Sequence, residues 1–88
     1  MGQLRLRGDT LDWVEVDDEV IALDAERSVY LGTNSTATLL WKALVDGTTR
    51  DELVEALVAE YDIEPAAAVT DVDAFIAQLA AQGLLETG

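Results

Sequence analysis

The feature that most constrains this chain is a change of hydrophobic period at Gly32-Thr33-Asn34-Ser35. Before it, apolar residues alternate with a period of two, as on strands. After it they recur three and four residues apart, as on helices. A single switch of this kind in 88 residues places the chain in the α+β class, a sheet covered by a helical layer. The length suits one domain, residues 1–88, with residues 1–9 as a loose arm or a short edge strand. Half of the residues are hydrophobic, which opposes disorder.

Three strands are predicted ahead of the switch. Leu11 to Val16 is the first, with Val14 and Val16 on one face. Asp17-Asp18 makes a tight connection to Val20–Leu23. The near-continuous apolar run of this second strand predicts burial on both faces, as for a middle strand. Asp24-Ala25-Glu26 is the next turn, and Arg27-Ser28-Val29-Tyr30-Leu31 is the third strand. Short connections give an up-and-down antiparallel meander. The third strand is then an edge. Val29 and Leu31 are expected to face the core, with Tyr30 on the other side.

Three helices follow. Thr33, Asn34 and Ser35 are candidate caps for a helix from about Ser35 to Asp46, where Ala37, Leu40, Trp41 and Leu44 recur at helical spacing. Gly47 suits the left-handed position past its end. Thr49-Arg50-Asp51-Glu52 is a capping-box pattern that opens the second helix, and Pro65 both ends that segment and starts the third. Val69, Val72, Phe75, Ile76 and Leu79 form an apolar face wider than core packing alone requires. Gly83 closes the helix, and Leu84-Leu85 folds back on its last turn.

The composition argues against catalysis. With neither cysteine nor histidine, the chain lacks a thiol nucleophile, the commonest general base and the commonest metal ligand. The acidic pairs Asp17-Asp18, Asp51-Glu52 and Asp71 with Asp73 sit at turns and on helices, where capping and dipole pairing account for many of them. None has the oxygen spacing of a calcium loop. Ser28 and Ser35 lack a basic partner to activate them. Ser35 opens a helix, but in a Thr-Asn-Ser-Thr setting unlike the attachment serine of a carrier protein. No catalytic residue, metal or other cofactor is expected. The net charge of −13, with Arg5, Arg7, Arg27, Lys42 and Arg50 as the only cations, disfavours nucleic acid and anionic membranes. The segment Pro65–Gln82 holds no Lys or Arg, which argues against a DNA recognition helix. Apolar runs fall well short of the roughly 20 residues of a membrane span. The N-terminus has no signal-peptide core, so a cytoplasmic location is expected. Trp41 and Phe75 read as core residues.

The run from Asn34 to Gly47 resembles the central signature of PqqD-like domains: an Asn, a small residue three on, an apolar-Trp pair, then Asp-Gly. The segments Thr49–Leu57 and Glu60-Tyr61-Asp62-Ile63 are similar to that family's second helix. Asp71-Val72, Phe75-Ile76, Leu79 and Gly83-Leu84-Leu85 are similar to its third helix and tail. Gly32-Thr33 departs from the pattern, since many members have a leucine directly before the Asn. The resemblance spans about Leu11 to Glu86. It implies a precursor-recognition element of ribosomally made peptides, with a winged-helix-like fold of a three-stranded antiparallel sheet and three helices. It further implies leader-peptide binding by strand addition to the third strand against the third helix, without catalysis. As a free domain, the chain looks like the small subunit of lasso-peptide systems. That subunit hands the leader to a cysteine-type leader peptidase and supports an ATP-dependent cyclase. The alternatives are a peptide chaperone of quinone-cofactor synthesis and, from other classes, a winged-helix DNA-binding domain or a general adaptor domain.

Strand addition also suits the residues themselves, because an edge beside a helix offers backbone hydrogen bonds and side-chain pockets together. The expected peptide-binding residues are Arg27, Ser28, Val29, Tyr30 and Leu31 on the strand. Val69, Val72, Asp73 and Ile76 are expected on the helix, with Asp73 facing a basic leader residue.

Overall fold

A computed structural model describes residues 3–7, 11–26 and 28–87. The strands are β1 (Gln3–Leu6), β2 (Leu11–Val16), β3 (Glu19–Asp24), β4 (Val29–Gly32), β5 (Thr48–Thr49) and β6 (Leu85–Thr87). The helices are α1 (Ser35–Asp46), α2 (Arg50–Tyr61) and α3 (Pro65–Ala81). The predicted meander is present as a sheet in the order β2-β3-β4, antiparallel throughout. Asp17 and Asp18 both have positive φ, 51° and 65°. This is the pattern of a two-residue turn whose twist matches its strands, and Asp tolerates it.

A second three-stranded sheet, order β5-β1-β6, was not foreseen. The N-terminal segment is therefore neither an edge nor a loose arm. It is the central strand of that sheet, pairing Leu4 with Thr48 on one side and Leu6 with Leu85 on the other. Leu4 and Leu6 point into the core, while Gln3 and Arg5 stay exposed. Leu84 is fully buried and its N–H reaches the Leu79 carbonyl at 3.0 Å, so the fold-back after Gly83 leads directly into β6.

Two other expectations need correction. The middle strand β3 is buried on one face only: Val20, Ala22 and Asp24 point inward, and Ile21 and Leu23 remain 40% and 48% exposed. Helices cover a single side of this sheet, so its other side, with Val14, Val16 and Tyr30, is open and apolar. The third predicted strand is also shifted. It runs Val29–Gly32, and Ser28 lies in the preceding turn with φ 56°. Arg27 lies outside the described residues.

The helices follow their punctuation. Asn34, among the candidate caps, accepts the Ala37 N–H at 2.9 Å. Gly47 takes φ 95°, and a β-carbon there would come within 2.9 Å of the Gln3 side chain. Thr49 and Glu52 form the reciprocal capping box. The core joins Leu40, Trp41 and Leu44 of α1 to Leu53 and Leu57 of α2. Ala68, Val72, Phe75 and Leu79 of α3 complete it with the inward residues of both sheets. Trp13 meets Trp41 edge-on at 6.0 Å between ring centroids.

Candidate functional site

The register of β4 decides which backbone groups are free. Val29, Tyr30, Leu31 and Gly32 lie opposite Asp24, Leu23, Ala22 and Ile21. One position further, the Thr33 N–H donates to the Val20 carbonyl at 3.0 Å. Partners in an antiparallel ladder alternate between hydrogen-bonded and non-bonded pairs. Leu31 and Val29 therefore direct their N–H and C=O groups to β3, whereas those of Tyr30 and Gly32 point away. Among the described residues no strand pairs with that outer edge. Leu31 is buried and Val29 half-buried, so this pair faces the core as expected. The Tyr30 side chain is 69% exposed on the open face of the sheet. It is the Tyr30 backbone that faces the edge.

A relay of hydroxyls locks the passage from this edge into α1. Val20 N–H donates to Thr33 Oγ1 at 2.9 Å, Thr33 and Thr38 hydroxyls meet at 2.7 Å, and Thr38 Oγ1 donates to the Asn34 carbonyl at 2.9 Å. The last bond uses the Thr38 proton, so Thr33 is the donor between the two hydroxyls. Thr33, at the position where the sequence departs from the PqqD-like pattern, thus fixes the β4–α1 junction to β3. Both threonines are buried.

Beside the junction lies an open hollow of about 280 Å³, formed by Asn34, Thr36, Ala37 and Leu40 of the α1 side and Asp71, Ala74, Phe75 and Gln78 of α3. Its floor is apolar, since Leu40 and Phe75 are buried core residues, and its rim is polar. Asn34, which lines the hollow, follows β4 by two residues in the chain.

The helix residues expected at the site do not line this hollow. Val72 is wholly buried in the core. Asp73 is held by Arg50 of α2 in a two-pronged ion pair, with Nε–Oδ1 at 2.6 Å and NH2–Oδ2 at 2.9 Å. That hydrogen bond is the main reason its carboxyl titrates below the ordinary range, with a smaller opposing effect of burial and a further lowering by the guanidinium charge. Val69 and Ile76 are half-buried. At about 100° per residue they share the side of α3 that carries Asp73, away from the hollow. The sequence showed that α3 has a wide apolar face, but not which part of it packs on α2.

The model of the family described as coenzyme PQQ synthesis protein D (PqqD) matches residues 19–85. The chain belongs to the PqqD family. Its fold is similar to that of a solved structure described as TbiB1 in complex with the TbiA(beta) leader peptide, with a TM-score of 0.84 and 29% identity. That match covers 93% of this chain and 94% of the other. A second structure, lasso peptide synthetase B1 complexed with the leader peptide, gives a TM-score of 0.80 and 28% identity over 94% and 96% of the two chains. Comparison with curated proteins gives no match. The PqqD assignment agrees with the α+β architecture and with the resemblance drawn from Asn34–Gly47 and the segments after it.

Proposed function

We propose that this PqqD-family chain binds the leader of a ribosomally made precursor peptide without catalysing a reaction on it. The leader adds as an antiparallel strand to β4, hydrogen-bonding to the outward groups of Tyr30 and Gly32 and placing side chains in the hollow between α1 and α3. The observation that carries this reading is the outer edge of β4, which pairs with no strand among the described residues and leads within two residues to Asn34 of an apolar-floored hollow. Main-chain pairing there supplies affinity, and the pocket supplies specificity. Both similar structures hold a leader peptide, which supports the same role here. The wall contributed by α3 is then Asp71, Ala74, Phe75 and Gln78 rather than Val69, Val72, Asp73 and Ile76. In the cytoplasm the bound leader would pass to a leader peptidase and an ATP-dependent cyclase of lasso-peptide maturation. The family description favours a second reading, escort of a precursor in quinone-cofactor synthesis. A DNA-binding role has little support, since α3 carries no Lys or Arg.

The test is Tyr30→Pro. Proline removes an N–H that points outward, so β4 keeps its bonds to β3 and tolerates the change as an edge strand. Fluorescence polarisation with labelled leaders of precursors encoded beside the gene should show affinity falling about tenfold or more, with the circular dichroism spectrum unchanged. Unaltered affinity in the folded variant would remove the β4 edge from the site. Comparing lasso-type and quinone-type leaders separates the two pathway readings.

A further inference from the structure

The two acids of α3 that the sequence pairs, Asp71 and Asp73, have opposite surroundings. Asp73 is neutralised by Arg50. Asp71 lines the hollow, is exposed, and has no ion-pair or hydrogen-bond partner among the described residues. Below it lie the apolar surfaces of Ala37, Leu40, Ala74 and Phe75. Of the described cations, Lys42 is engaged with Glu15, Arg50 with Asp73, and Arg5 with the Asp46 carbonyl, so none of these three supplies the hollow with a counter-charge.

Resting on the leader-binding reading, we infer that Asp71 selects a leader side chain with a long apolar stem and a cationic tip, an arginine or lysine. The stem of such a residue covers apolar surface while its charged end reaches the rim, which matches a floor of Leu40 and Phe75 under a carboxylate. An acidic chain of net charge −13 adds a general attraction for a basic peptide, and Asp71 turns that attraction into a preference at one leader position. The selectivity belongs to Asp71 because Asp73, two residues on, is turned toward α2.

A random-peptide phage library panned against the wild-type protein, Asp71→Asn and Asp71→Lys tests this. Tyr30→Pro serves as the control for edge binding. The expected result is enrichment of Arg or Lys at one position by the wild type, loss of that preference by Asp71→Asn, and a switch to Asp or Glu by Asp71→Lys. A basic peptide selected in this way should bind Asp71→Asn about two- to fivefold more weakly at low salt, and the difference should fade as salt rises. If wild type and Asp71→Asn select the same residues, the inference fails while leader binding stands. It fails in the same way if Asp71→Asn changes only the melting temperature, because the carboxylate then merely complements the N-terminus of α1. If no peptide is enriched by the wild type, or Tyr30→Pro enriches the same ones, the leader-binding reading fails and takes this inference with it.

Discussion

Thr33 shows how one side chain can join strand, turn and helix. Its hydroxyl accepts the buried Val20 N–H and donates to Thr38, whose own proton goes to the Asn34 carbonyl. Thr33→Val keeps the shape and removes both functions. The Val20 N–H then has no partner in a site where water has little access, at a cost of about 1–3 kcal/mol. Urea denaturation should report a lower midpoint with an unchanged slope. The sequence displayed Thr33 as a departure from a family pattern and as one of several candidate caps. It did not display the contact with Val20, 13 residues away, because local propensity carries no information about partners across a sheet.

At the scale of elements, the helices were legible almost to the residue, and the side of α3 that lines the hollow was not. Asn34, Gly47, the Thr49–Glu52 box and Pro65 act within one turn of themselves, so their meaning survives in the linear chain. Which side of α3 meets α2 is settled by packing, and there the Arg50–Asp73 pair takes part. The Arg50 guanidinium holds the Asp73 carboxyl below the usual carboxylate range, so the pair stabilises the fold above the ordinary carboxylate pKa and the benefit fades as pH falls through the lowered native value. Arg50 is shifted upward by the same contact, and its contribution is lost only above its usual, strongly alkaline range. Asp73→Asn should therefore melt slightly below wild type at neutral pH, and the two curves should converge in acid. Both groups are solvent-exposed, so the effect is small. An equal gap at all pH values would show that the ion pair is not its source.

The whole molecule is built on two sheets, and the second depends on both ends of the described chain. β1 lies between β5 and β6, with Leu4 and Leu6 in the same core as Trp41 and Leu79. Leu6→Ala should then destabilise the entire domain by about 2–5 kcal/mol, as for a buried leucine elsewhere in a core. A single cooperative melting transition shifted downward checks this. A transition unmoved from wild type would mean that the N-terminal segment does not belong to the core. The alternation of Leu4 and Leu6 with Arg5 and Arg7 was visible in the sequence. Its partners were not, since Thr48–Thr49 and Leu85–Thr87 are too short to announce themselves as strands.

What the sequence determined by itself was local in origin: the switch from strand to helix at Gly32–Ser35, the caps and breaks of the helices, and the meander ending in an edge strand. The lack of histidine and cysteine also disfavoured much catalytic chemistry. The tertiary structure decided the rest. It left one face of β3 uncovered, set Tyr30 and Gly32 as the outward positions of β4, buried Val72, and gave Asp73 to Arg50 while leaving Asp71 at the hollow. These outcomes depend on register and on the rotation of α3 about its axis. Both are fixed by contacts between residues far apart in the chain, and a periodicity that marks a helix face cannot say which neighbour will cover it.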